Sequence, residues 1–157
     1  MNVAVVGHVE WVEFARVEEI PQAGEIVHSL ESWEEAAGGG AVAAVQLANL
    51  NGSAHFFTAL GDDELGRRSR AELEERGVTV HSATVGEPQR RAFTHVDEGG
   101  ERTITVIGQK LLPSGENGDL PWEELARCDV VFFVSGDVAA LRAARHARVL
   151  VATAREL

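Results

Sequence analysis

The sequence is short of cysteine, of basic residues and of long apolar runs, and each shortage removes a class of protein. A single cysteine, Cys128, excludes an internal disulfide framework and any CxxC zinc signature. Placed just before the apolar run VVFFV, it reads as a small packed side chain rather than a nucleophile. With 14 Lys and Arg against 25 Asp and Glu, the formal net charge is -11. Phosphate contacts are made by Lys and Arg, so neither nucleic acid nor an anionic membrane is expected as a partner. The opening MNVAVVGHVEW has no basic segment, and no apolar run is long enough to span a bilayer, so a cytoplasmic location is expected. No Gly-Lys-Ser/Thr occurs, which excludes a P-loop. Gly7 is followed by HVEW instead of the partner glycines of a dinucleotide fingerprint, which argues against a nicotinamide dehydrogenase.

What is present is an alternation of two periodicities over 157 residues, enough for one core. Val3 to Val6, His55 to Leu60, Asp129 to Val134 and Arg148 to Thr153 are short, nearly uninterrupted apolar runs of the kind found in buried parallel strands. Helical patterns lie between them at Gly39 to Leu50, Asp63 to Arg76, around Pro121 to Arg127, and Val138 to Ala147. The order predicts an α/β fold: a Rossmann-like, mostly parallel central sheet with helices on both faces. The second helix has clear ends. Asp62 or Asp63 can cap it, Asp63 and Glu64 favour its positive dipole end, Gly77 stops it, and Leu65 and Leu73 lie on its buried side.

Two stretches interrupt the rhythm. Residues 10 to 33 carry β-branched and aromatic residues around a turn at Pro21 to Gly24, and residues 90 to 107 suggest a hairpin turning at Asp97 to Gly100. Together they predict a small separate β-sheet, of the kind that covers a ligand site. A third feature is the run AAGGGAVAAVQLANLNG, residues 36 to 52, in which three glycines precede a largely apolar helix. Glycines at a helix N-terminus let a polar ligand approach unpaired N–H groups, but they equally serve a tight turn and close helix packing. Spacing alone does not separate these readings.

The order of these pieces resembles the N-terminal part of the ribokinase-like, or PfkB-type, carbohydrate kinases. VAVVGHVEW is similar to that family's first strand and Gly, IPQAGEIV to its Pro-x-x-Gly-Glu lid turn, and GGGAVAAVQLANLNG to its GGxGAN-x-A helix. FFTALGDDELGRRSRAELEERGV is similar to its GDDxxG helix with the L-x-x-x-GV ending, and DEGGERTITV to its G-E-R hairpin. The resemblance implies phosphoryl transfer from ATP, with Mg2+, to a hydroxyl of a sugar or nucleoside, beneath a β-sheet lid that also makes a homodimer. It places the double glycine, Gly38 and Gly39, against substrate hydroxyls, with Gly40 adjoining.

The sequence also departs from the family pattern. The family's Asp after the first strand aligns with Val12, with Glu10 and Glu13 nearby, and the Asn of the GAN triplet aligns with Ala43. Losing two hydroxyl-binding side chains removes roughly 1 to 3 kcal/mol each for an ordinary sugar, so ribose held in the standard way is not expected. His8, Glu10, Trp11 and Arg91 are the candidates for a revised pocket. Trp11 suits stacking on a sugar or base, and equally packing. The arginines of Gln89-Arg90-Arg91 suit a phosphate or carboxylate on the substrate, and equally a solvated surface.

The family's GAGD motif, which carries its catalytic Asp and anion hole beside the ATP site, has no counterpart here. Residues 1 to 157 are therefore expected to form a single partial domain. It would hold no catalytic residue, lack most ATP and Mg2+ contacts, transfer no phosphate alone, and end its sheet on an apolar edge. The alternative is a non-catalytic ligand-binding or dimerisation module on the same scaffold.

Overall fold

In the computed structural model, which describes residues 1–116 and 118–153, the chain folds into two sheets. Strands β1 (Val3–Val6), β4 (Ala54–Gly61), β5 (Val78–Val85), β8 (Val130–Phe133) and β9 (Val149–Ala152) form the first, in the order β5-β4-β1-β8-β9. Every neighbouring pair in it is parallel. Strands β2 (Glu10–Arg16), β3 (Glu31–Ala37), β6 (Arg91–Val96) and β7 (Arg102–Ile107) form the second, in the order β3-β2-β6-β7. Its outer pairs are antiparallel, while β2 and β6 run parallel.

The alternation of side chains along β1 explains the layering. Val3 and Val5 face one side, where they pack with Ala41, Ala44 and Ala48 of helix α1 (Gly39–Asn51) and Leu73 of helix α2 (Glu64–Glu75). Ala4 and Val6 face the other, against Phe57, Leu125, Ala140 and Ala144. The last two belong to helix α3 (Val138–Ala144), and Leu125 to a 3-10 helix, Trp122–Arg127. A strand covered on both faces needs apolar residues at every position, which is why β1 reads as VAVV. Complete burial of side chains such as Val5, Phe56 and Leu73 contributes about 1.5–3 kcal/mol each.

The expected α/β architecture is present, with two differences. Strand β5 is not signalled by an apolar run: VTVHSATV lies at the sheet edge and alternates buried and exposed positions. Strand β3 runs to Ala37, beyond the expected limit at residue 33, because it pairs along the whole of β2, from Glu10 with Ala37 to Arg16 with Glu31. The helical segment expected around Pro121 to Arg127 is present as a 3-10 helix, Trp122–Arg127. At the other edge, Val149 and Val151 of β9 are about half exposed. Cys128 is buried, and burial, followed by the Glu124 and Asp129 carboxylates, pushes its thiol above the ordinary value. No helix among the described residues is long and apolar enough to cross a membrane.

Asp137 caps α3 and ties it to the preceding loop. Its Oδ1 accepts N–H bonds from Ala140 at 2.7 Å and Gly115 at 3.0 Å. Burial raises the carboxyl's pKa, but the donors at Gly115, Ser114, Ala140 and Ala139 outweigh it and hold the group below its ordinary value. A depressed carboxylate stabilises the fold above the unfolded-state pKa, about 3.9, and loses that contribution as pH falls through the folded-state value. The stability difference between wild type and Asp137→Asn, from urea melts at a series of pH values, should therefore be largest near neutrality and shrink in acid. A difference that stays constant into acid would assign the cap no titrating role.

Candidate functional site

The glycine run at the start of α1 resolves into three different jobs. Gly38 has φ 87° and ψ 158°, a region open essentially to glycine alone, and no side chain caps the helix there. A methyl on Gly38 would also come within 3.0 Å of the Glu10 N and 3.3 Å of the His8 Cδ2. Gly39 has room for a methyl apart from side-chain atoms of Val134 and His8, at 3.1 and 3.6 Å. Gly40 has none: a methyl would lie 2.7 Å from both the N and O of His8. Gly40 is therefore where the helix backbone packs onto the end of β1.

Gly38 and Gly39 line a cavity of about 550 Å³ between the start of α1 and one face of the second sheet. Alternation along the strands decides what else reaches it. Strand β2 contributes Glu10, Val12 and Phe14; β3 contributes Glu35 and Ala37; β6 contributes Ala92 and Thr94; and β7 contributes Arg102 and Ile104. Val42 and Ala43 of α1 complete the wall. Val12 and Ala43 thus place aliphatic groups on the cavity at the two positions where the family resemblance expects Asp and Asn. The cavity is acidic at Glu10 and Glu35, basic at Arg102, and apolar between.

Glu10 belongs to a chain of polar groups leading into the core. Ser135, fully buried after β8, has its Oγ 2.8 Å from His8 Nδ1. The other His8 ring nitrogen, Nε2, is 3.8 Å from Glu10 Oε1, and Arg90 Nε lies 2.9 Å from the same oxygen. That Nε–H is off the hydrogen-bonding direction, so charge and not alignment holds the pair. The Glu10 side chain is only 15% exposed, which keeps its carboxylate at one place on the cavity wall.

Of the residues singled out in the sequence, the structure brings Gly38, Gly39 and Glu10 to the cavity, with His8 behind them. Gly40, Trp11 and Arg91 go elsewhere. Trp11 is buried in the main core, and the Arg68 guanidinium sits 4.2 Å from its ring centre. Arg91 is paired in register with Trp11, so its side chain leaves the sheet on the face opposite Ala92 and Thr94. Arg102, Thr94 and Ser135 were not anticipated, and Arg90 only as one of a pair of adjacent arginines. The sequence signals were Arg90's place in the Gln89-Arg90-Arg91 run and Arg102's place, with Ile104 and Val106, in the alternation of the second hairpin.

The GDDELG segment, residues 61–66, positions the second sheet without lining the cavity. Asp63 Oδ1 accepts the Gly66 N–H at 2.8 Å, capping α2, and its Oδ2 accepts the Gln89 N–H at 2.9 Å. The buried Gln89 side chain accepts the Gly61 N–H at 3.1 Å and donates to the Val9 carbonyl at 3.0 Å. One closed network thus joins the end of β4, the start of α2 and the roots of β2 and β6.

Comparison with known proteins agrees with this architecture. A family model described as pfkB family carbohydrate kinase matches residues 1–153. The ATP-dependent ribose-1-phosphate kinase of Halopiger xanaduensis is 34% identical over 112 residues, 69% of this chain and 36% of the relative. The ribokinase of Dictyostelium discoideum is 28% identical over 109 residues, 68% of this chain and 34% of the relative. Ribokinase from Cryptococcus neoformans, solved with ADP, superposes with a TM-score of 0.65 at 26% identity over 85% of this chain and 41% of its own. Arabidopsis thaliana ribokinase, solved with ribose and ATP, shares the fold with a TM-score of 0.73 at 21% identity over 99% of this chain and 54% of its own. The chain thus spans about a third of the length of these two curated relatives. With a parallel main sheet, a small mixed sheet beside it and a family match over nearly all its residues, the chain belongs to the pfkB family of carbohydrate kinases.

Proposed function

We propose that these residues form the substrate-binding part of an ATP-dependent sugar kinase, with the second sheet acting as a lid over the sugar. The observation that carries this reading is the cavity in which the Gly38–Gly39 backbone and the Glu10 carboxylate share one wall facing the strands of the second sheet. A polyhydroxylated ligand needs acceptors and donors at fixed points together with apolar surface for its C–H faces. Glu10 accepts from one hydroxyl, the buried Thr94 hydroxyl meets another, and Val12, Ala43 and Ile104 meet the carbon skeleton. Arg102 replaces Arg91 as the group suited to a phosphate on the substrate. The half-exposed Ile104, Val106 and Ile107 on the edge strand β7 suit a lid-to-lid homodimer.

ATP as the phosphate donor is supported by the nucleotide complexes of the relatives. Mg2+ is usually held by one or two carboxylates together with substrate phosphates, so the cluster of two imidazoles and a carboxylate, which lies away from the cavity, is not its site. No step of phosphoryl transfer is therefore assigned to residues of this chain, and residues 1–157 alone should bind sugar without transferring phosphate.

The test is ATP-dependent phosphorylation of a panel of pentoses, hexoses, their phosphates and nucleosides by the full-length protein, with binding followed by calorimetry. Glu10→Gln should weaken binding of the preferred sugar by roughly 10- to 100-fold, the effect of losing a charged hydrogen-bond acceptor worth about 1.5–3 kcal/mol. Arg91→Ala, on the far face, should leave it unchanged. Unaltered affinity in Glu10→Gln would remove the cavity from the reading, while tight binding without turnover in the full-length protein would favour a non-catalytic module.

A further inference from the structure

A second cluster lies at the opposite end of β4 from Gly61. His55, the second residue of β4, shares a sheet face with Phe57, and His81 of β5 and Glu124 of the 3-10 helix converge beside it. His55 Nδ1 is 3.0 Å from His81 Nε2, and His81 Nε2 is 3.7 Å from Glu124 Oε2. One ligand atom from each residue lies within 4.8 Å of the other two. Around a tetrahedral zinc ion with metal–ligand distances of ~2.0–2.2 Å, neighbouring ligand atoms are about 3.3 Å apart. The three groups are therefore within a small side-chain rotation of that geometry.

We propose that His55, His81 and Glu124 bind a divalent transition metal of the zinc class, clamping the 3-10 helix to strands β4 and β5. Two imidazoles and a carboxylate suit zinc and exclude Mg2+ or Ca2+ as the natural occupant. A hollow of about 200 Å³ lined by Asn2, His55, Phe57, Glu124, Arg127 and Cys128 gives access and leaves the fourth position to water. Neighbouring rings fix the imidazoles: Phe57 lies 4.6 Å from the His81 ring centre and 5.5 Å from that of Trp122, and the two imidazoles lie end to end, their centres 5.3 Å apart and their planes within 14°. Burial, with lesser contributions from His55 and Arg70, holds the His81 pKa below its ordinary value despite Glu124. Arg70 opposes a cation, but its guanidinium is engaged by Glu74, Ser82 and the Val80 carbonyl. The Cys128 Sγ lies outside the group of mutually close ligand atoms and faces the Glu124 carbonyl oxygen at 3.7 Å, which keeps it out of the donor set.

The experiment uses the full-length protein, prepared without a histidine tag, stripped with chelator and titrated with Co2+ and then Zn2+. The expected result is one Co2+ per chain with the visible absorption of a tetrahedral ion, displaced by Zn2+, and a melting temperature that rises with added Zn2+. His81→Gln should reduce Zn2+ affinity on the order of tenfold or more. Glu124→Gln, on a partly exposed short helix, should do the same without disturbing the fold, and His28→Gln, in the loop before β3, should not. Absence of stoichiometric binding, or affinity unchanged in both His81→Gln and Glu124→Gln, overturns the proposal and leaves the pair as an imidazole–imidazole hydrogen bond.

Discussion

Gly40→Ala should lower the unfolding free energy by about 3 kcal/mol and abolish the sugar binding proposed for the cavity, whereas Gly39→Ala should cost under about 1 kcal/mol. The difference follows from what a new methyl would meet. At position 40 its neighbours are the His8 N and O at 2.7 Å and the Gly7 carbonyl carbon at 2.8 Å, all backbone. A backbone atom at the end of a fully buried strand cannot rotate aside, so relief requires α1 to move away from β1. That movement strips Ala41, Ala44 and Ala48 from the core face they share with Val3 and Val5. It also carries Gly38 and Gly39 away from Glu10, opening the cavity wall. At position 39 the nearest atoms are the Val134 Cγ1 and the His8 Cε1, ends of side chains that can shift. Gly38→Ala should fall between them, because its φ of 87° and ψ of 158° impose backbone strain of order 1–3 kcal/mol on any other residue. Urea denaturation of the three variants checks the ranking. A Gly40→Ala protein within about 1 kcal/mol of wild type would mean that the contact between α1 and β1 yields easily.

This ranking also marks how far the sequence could be read. The strands VAVV and HFFTAL are legible because burial on both faces leaves them mostly apolar, with Thr58 the one fully buried polar residue, and the capped helix at Asp63 is legible because caps are local. Strand β5 was not, since an edge strand tolerates Thr79, His81 and Ser82 and so carries no continuous apolar signal. Three consecutive glycines look alike in a sequence, and their division between a strained cap, a cavity wall and a packing contact depends on where β1 ends. Trp11 and Arg91 were candidates for the cavity, but each is one position out of step with residues that line it. The parity of β6 is set by its parallel pairing with β2, about 80 residues earlier in the chain, and no local pattern encodes that register. Glu10, on the right parity, reaches the cavity, and Arg102 reaches it from β7. Gln89 was read only as part of a polar run, although it is 3% exposed and belongs to the network at the root of the second sheet.

Gln89→Ala destabilises the protein by about 2–4 kcal/mol, and Asp63→Ala by a similar amount. Gln89 satisfies two buried backbone groups, the Gly61 N–H and the Val9 carbonyl, and truncation leaves both without partners at about 1–3 kcal/mol each, less whatever water recovers. Asp63→Ala removes an N-cap, typically worth about 1 kcal/mol, and also the acceptor for the Gln89 N–H. Because Asp63 holds the Gln89 backbone and Gln89 in turn holds Gly61, the losses overlap. The double variant should fall short of the sum of the singles by about 1–2 kcal/mol in a double-mutant cycle. The network joins β4 and α2 to the residues immediately preceding β2 and β6, so its loss frees the root of the second sheet while the main core stays packed. Hydrogen exchange should accelerate first at the Gly61 amide and along the β2–β6 pairing, with β1 and β8 protected to the global unfolding limit. Additive single-mutant costs, or exchange that rises uniformly across both sheets, would mean that the two residues act separately and that GDDELG stabilises only the helix it begins. Coupling confined to the second sheet would instead make the segment the hinge from which that sheet is held over the glycine cavity.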